Sequence, residues 1–174
     1  WGRKYFQENK IKKPIKKINS IWHIPPKYFK DNTYKNKSLF SVVRNPYERI
    51  ISEFKWRKKI NYINKNIDIN DFIKENINKY KKNIFHYDGH FIPQSEFIFG
   101  IPKCDEILRF ENLDNDFYNL LKKYNYPQMK LPFDNKSSGG ETINNLDKTS
   151  IKIINEIYED DFKNFGYEMK NYFL

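Results

Sequence analysis

Arg44 and Ser52 lie in the segment Ser38-Leu-Phe-Ser-Val-Val-Arg-Asn-Pro-Tyr-Glu-Arg-Ile-Ile-Ser-Glu-Phe54. A guanidinium is a planar fork that matches two oxygens of a phosphate, and a nearby hydroxyl adds another donor. The residues between them predict a geometry that aims both at one point. Leu39, Phe40, Val42 and Val43 form a near-continuous apolar run, the pattern of a parallel strand covered on both faces. Asn45 suits a helix cap and Pro46 a first helical turn, which predicts a helix over roughly residues 46–58. A strand feeding a helix N-terminus leaves backbone N–H groups and a partial positive charge facing outward, and Ser52 falls two turns on, on the same side as Asn45. The chemistry implied is anion binding. The rival reading is a strand–turn–helix whose Arg44 makes a surface ion pair.

The titratable candidates lie elsewhere. His23 ends a predicted short strand, Ser20-Ile-Trp-His-Ile24, which Pro25-Pro26 stops. His90 follows the loop Phe85-His-Tyr-Asp-Gly89, which would let it reach into a cleft. An imidazole titrates near neutrality and is well suited to accept a hydroxyl proton. The alternatives are a packed His23 beside Trp22 and a His90 at the start of a short helix. Glu111 stands at a predicted strand end, where α/β folds place ligand-facing groups. It reads either as a base or orienting carboxylate, or as the ion-pair partner of Arg109. Arg49 assists an anion or bridges to Glu53 at i+4.

The stretch Arg44-Asn-Pro-Tyr-Glu-Arg-Ile-Ile-Ser52 resembles the 3′-phosphate-binding motif of sulfotransferases that use 3′-phosphoadenosine 5′-phosphosulfate, PAPS. Other segments resemble the carbohydrate branch of that family, in the expected order. They are His90-Phe-Ile-Pro-Gln94, Ile107-Leu-Arg-Phe-Glu-Asn-Leu113 and Ile157-Tyr-Glu-Asp-Asp-Phe-Lys-Asn-Phe-Gly-Tyr167. The likeness covers most of residues 20–168. It implies transfer of a sulfuryl group from PAPS to a carbohydrate hydroxyl, with PAPS as co-substrate. By the resemblance Arg44 and Ser52 hold the 3′-phosphate, assisted by Arg49, and His23, His90 and Glu111 are the catalytic candidates. Gln94 and Arg109 are expected at the acceptor, and Lys136 and Ser137 in a loop, Asn135-Lys-Ser-Ser-Gly-Gly140, folding over the nucleotide. A surface amide at 94 and a plain surface loop at 135–140 are the alternatives. The family's other nucleotide element, a strand–loop–helix of the type Pro-Lys-x-Gly/Ala-Gly/x-Thr-Ser, has no counterpart ahead of Arg44. The first βα unit is therefore expected to be missing. A second function stays open on that account: a non-catalytic module that binds nucleotides or acidic glycans through the 3′-phosphate site alone.

The elements that must position these residues read as strands separated by helices. Beyond those already given, helices are predicted near Ile69–Asn78 with Asn70 or Asp71 as cap, near Pro93, over Asp114–Tyr124, and over Lys148–Asn164. A buried strand is predicted at Glu106–Phe110, and the Pro-, Asn-, Ser- and Gly-rich residues 127–146 read as loop. The expected fold class is α/β, a three-layer sandwich with a mainly parallel sheet of the P-loop NTPase-like sulfotransferase type. Residues 1–174 form a single domain, with 1–19 a basic connector and 20–168 the family-like core.

Composition narrows the partners. The formal net charge is +10, which attracts a polyanionic nucleotide and tolerates acidic acceptors such as sulfated glycans. The lysines are spread along the chain rather than gathered in a stripe, so no specific nucleic-acid partner is expected. A single cysteine excludes an intrachain disulfide, and three histidines without Cys/His ligand spacing give no metal site. No apolar run approaches the ~20 residues of a membrane span. The oligomeric state is left open. The expected location is the Golgi lumen for a eukaryotic-type enzyme, otherwise the cytoplasm of a microbial or virus-infected cell.

Overall fold

In a computed structural model, residues 20, 23–28, 36–99, 104–132 and 140–171 are described. Strand β1, Phe40–Val43, pairs in parallel with β2, Glu106–Arg109, in the register Phe40↔Glu106 to Val43↔Arg109. Between them run α1, Pro46–Lys59, α2, Ile69–Lys82, and the short α3, Ser95–Ile98. After β2 come α4, Leu113–Lys123, α5, Lys148–Ile157, and α6, Glu159–Phe165.

Each long helix starts for a local reason. Asn45 caps α1, its side chain accepting from the Tyr47 N–H with Pro46 at the first turn. Asp68 caps α2 through the Asn70 N–H, so the cap lies just ahead of the expected Asn70 or Asp71. Asp147 caps α5. The final helix, expected as one piece over 148–164, breaks at Tyr158, and α6 ends where Gly166 adopts a left-handed φ of 65°.

The core is built on helix faces. Tyr47, Ile50, Ile51 and Phe54 of α1 pack against Ile69, Phe72, Ile73 and Ile77 of α2, with Phe91, Ile154, Tyr158 and Phe162 closing the cluster. Each side chain of this size withdrawn from water contributes about 1.5–3 kcal/mol before ordering costs. A smaller cluster of Val43, Ile98, Cys104 and Phe165 lies under the sheet.

Two expectations change. The described sheet has two parallel strands flanked by helices, which is α/β. Its apolar run is covered only in part, at its end rather than on both faces throughout: Val43 and Leu108 are buried, whereas Phe40, Val42 and Ile107 are exposed. Nor does His23 end a strand; it lies in a 3₁₀ turn, followed by a second turn at Pro26–Tyr28. Two adjacent prolines remove the donors that a ladder would need.

Candidate functional site

The candidate site runs along helix α1, which supplies Ser52, Arg49 and Glu53, while other segments bring the remaining groups. At the helix N-terminus, β1 delivers Arg44 into a turn whose N–H groups at Arg44, Asn45 and Tyr47 all have side-chain partners. The Arg44 N–H donates to Gln94 Oε1 at 2.8 Å, and Gln94 Nε2 donates back to the Arg44 carbonyl at 2.9 Å. The Asn45 N–H donates to Glu111 Oε1 at 2.8 Å, and the Tyr47 N–H to the Asn45 side chain at 3.0 Å. The backbone donors that the sequence pattern offered to an anion thus serve the fold instead.

The Arg44 guanidinium is placed differently. It is half-buried, lies over the Phe110 ring at 4.2 Å, and meets Glu48 at 3.6 Å, an ion pair too long for a good hydrogen bond. Among the described residues it makes no hydrogen bond. Burial lowers its pKa, offset in part by Glu48 and Glu111, and it remains a cation. Glu48 and Ser52 are one turn apart on α1, so the Ser52 hydroxyl lies on the face that Glu48 shares with Arg44. Ser52 is half-buried and makes no hydrogen bond among the described residues. A guanidinium and a hydroxyl with donors to offer fit a phosphate.

Farther along α1, a pocket of about 260 Å³ is lined by His23, Arg49, Ile50, Glu53, Gly89, His90 and Phe97. Its two imidazoles meet edge to face with centroids 4.5 Å apart. Each has a carboxylate behind it. His23 Nδ1 is 3.0 Å from Asp88 Oδ2, and His90 Nδ1 is 2.9 Å from Glu53 Oε2. Glu53 is held in turn by Arg57 at 2.6 Å. A carboxylate facing Nδ1 favours the tautomer with hydrogen there, leaving Nε2 as the basic nitrogen.

The electrostatics follow from burial. His23 has its pKa lowered, by burial first and then by the neighbouring His90, with Asp88 and Glu53 only partly opposing. Burial works to raise the Glu53 pKa, but His90 and Arg57 outweigh it and the net shift is downward. Asp88 behaves likewise, its burial outweighed by the Ser20 N–H and by His23. Both carboxylates are therefore ionised at neutral pH, and His23 is neutral.

The loop that brings the histidines together is strained. Tyr87, Asp88 and Gly89 take φ of 50°, 61° and 83° in succession. Left-handed geometry is costly for Tyr and Asp and marks sites that the surroundings over-determine. The kink lets Asp88 accept from the Ser20 N–H at 2.9 Å as well as from His23. Gly89 is needed twice: a Cβ there would lie 2.9 Å from the His23 carbonyl.

Several candidates have other partners. Arg49 lines the pocket, yet its Nη2 donates to the carbonyls of His90 and Ile92 at 2.7 and 2.8 Å, and its Nη1 is buried without a partner. The i+4 bridge from Arg49 to Glu53 does not form, because Glu53 faces Arg57 and His90. Glu111 accepts from Asn45 and, at 2.9 Å, from the Tyr167 hydroxyl; its expected pairing with Arg109 is replaced by these two. Arg109 donates to the Phe165 carbonyl at 2.5 Å and lies over the Tyr167 ring. Gln94 is buried rather than a surface amide. Lys136 and Ser137 lie outside the described residues.

Asp88, Glu53 and Arg57 hold the two imidazoles, a task that the sequence did not assign to them. The i,i+4 spacing of Glu53 and Arg57 was a readable signal. The approach of Asp88 to His23, sixty-five residues apart, was not. The third histidine, His86, bonds Asn76 at 2.8 Å and stacks on Tyr87 in the core wall. Among the described residues no group of His, Cys, Asp and Glu is arranged to hold a metal, and no helix is long and apolar enough to cross a membrane.

A family model described as the sulfotransferase family matches residues 3–168. No curated protein and no solved structure matches the chain.

Proposed function

The chain belongs to the sulfotransferase family, and from that premise we propose that it moves a sulfuryl group from PAPS to a hydroxyl of a carbohydrate. The observation that carries this reading is an under-bonded half-buried guanidinium just ahead of α1 and, beside the same helix, a pocket holding two carboxylate-backed imidazoles.

Arg44 and Ser52 would hold the 3′-phosphate by charge-assisted hydrogen bonds. His23, neutral and oriented by Asp88, would take the acceptor proton on Nε2 as the acceptor oxygen bonds to sulfur. The bond from sulfur to the 5′-phosphate oxygen breaks in the same displacement, and adenosine 3′,5′-bisphosphate leaves. His90, oriented by Glu53, faces the same space and would donate a hydrogen bond to sulfuryl oxygens when protonated. Positioning and charge do the rest, as in phosphoryl transfer. The net charge of +10 favours an acidic glycan as acceptor.

The test is calorimetry with adenosine 3′,5′-bisphosphate together with ³⁵S transfer from PAPS to a panel of glycans. Wild type should bind, and Arg44→Ala should weaken binding by about 2 kcal/mol, the scale of a hydrogen bond to a charged group. Wild type that fails to bind the nucleotide would remove the proposal. Binding without transfer to any acceptor would favour the non-catalytic module.

A further inference from the structure

Gln94 is a buried amide, and each of its side-chain polar atoms has a protein partner. Oε1 accepts from the Arg44 N–H and Nε2 donates to the Arg44 carbonyl, so one side chain grips both polar groups of one residue. The amide is anchored from behind. Asp161 on α6 is fully buried, and its Oδ2 accepts from the Gln94 N–H at 2.8 Å and from Nε2 at 3.3 Å. Its Oδ1 accepts from the Ser95 N–H at 2.8 Å, which fixes the start of α3. The order of attachment is therefore α6, then the Pro93–Ser95 turn, then the end of β1.

The effect on Arg44 is specific. A guanidinium swings on a long side chain, and where it points depends on the backbone from which it hangs. The Arg44 peptides lie where a strand becomes a helix, with no ladder partner of their own. Without Gln94 those groups would be left short of partners in a half-buried turn, and the turn would relax. We propose that Gln94, held by Asp161, is a positioning residue that sets the direction of the Arg44 side chain and so the affinity for the 3′-phosphate. This rests on the reading of Arg44 as the phosphate ligand. It also gives Gln94 a different task from contact with the acceptor.

The experiment compares adenosine 3′,5′-bisphosphate with adenosine 5′-monophosphate, which lacks the 3′-phosphate, by calorimetry on the full chain. Gln94→Met keeps the length and removes both hydrogen bonds. It should weaken the bisphosphate about tenfold, inside the usual range of couplings between contacting groups, and leave the monophosphate unchanged. In an Arg44→Ala background the same change should have no further effect. Equal losses for both nucleotides, a loss that persists without Arg44, or no loss at all would each overturn the clamp. Should Gln94→Met fail to fold by circular dichroism, Gln94→Glu is read in its place; it keeps an acceptor for the Arg44 N–H and loses the donor to the carbonyl. Wild type that fails to prefer the bisphosphate, or Arg44→Ala with unchanged affinity, overturns the phosphate site itself, which separates that failure from failure of the clamp.

Discussion

The Arg44 turn and the histidine pocket lie beside the same helix but are held in place by different means. At the turn, backbone groups are bound by side chains from distant segments: Gln94 from one side and Glu111 from the other. In the pocket, side chains are bound by side chains, His23 by Asp88 and His90 by Glu53. A permanent cation needs only to be aimed, and locking the chain beneath it does that without touching its charge. A base must change protonation state as it works, and a carboxylate partner tunes that state while fixing the ring. Protonation of the protein should therefore act on turnover, through His23, more than on the grip of Arg44.

The largest expected effect would sharpen this contrast most. His23→Ala should lower sulfuryl transfer by about 10²–10⁴-fold, the range for loss of a general base, with nucleotide affinity unchanged. An equal fall in affinity would show that the two regions are not separable. A titration of rate against pH comes next. With its pKa lowered by burial and then by His90, His23 stays neutral to a lower pH than an ordinary histidine, and the acid limb should appear below the ordinary value, about tenfold per pH unit. The sign for stability is the same: the unfolded chain takes up this proton more readily, so stability falls as pH drops from the ordinary value through the folded one. An acid limb at or above the ordinary histidine pKa would assign the base to another group. The smallest effect concerns the turn. Asn45→Ala removes the cap and should cost about 1 kcal/mol of stability by chemical denaturation, with the pH profile unmoved.

Much of the framework was legible because its signals are local. Asn45-Pro46 marks the start of α1 by chemistry contained within a few residues, and the apolar spacing of Phe72, Ile73 and Ile77 marks α2. The pairing of His23 with His90 was not legible, since it depends on a kink at Tyr87–Gly89 that no periodicity encodes. Glu111 shows the same limit. A carboxylate at a strand end was readable, but that its two oxygens would take the Asn45 N–H and the Tyr167 hydroxyl depended on where the C-terminal turn returns to the sheet. Exposure of Phe40 and Val42 likewise depends on what packs on the sheet, a property of the assembled fold rather than of the run itself.

Gly89 sits where two stretches of main chain nearly touch, 2.9 Å from its absent Cβ to the His23 carbonyl. One methyl group there would act as a wedge, prying the two rings from their edge-to-face contact and pulling His23 off Asp88 without altering either imidazole. The spacing of the two imidazoles is thus metered by a hydrogen atom, on a residue that itself has no side chain to do chemistry.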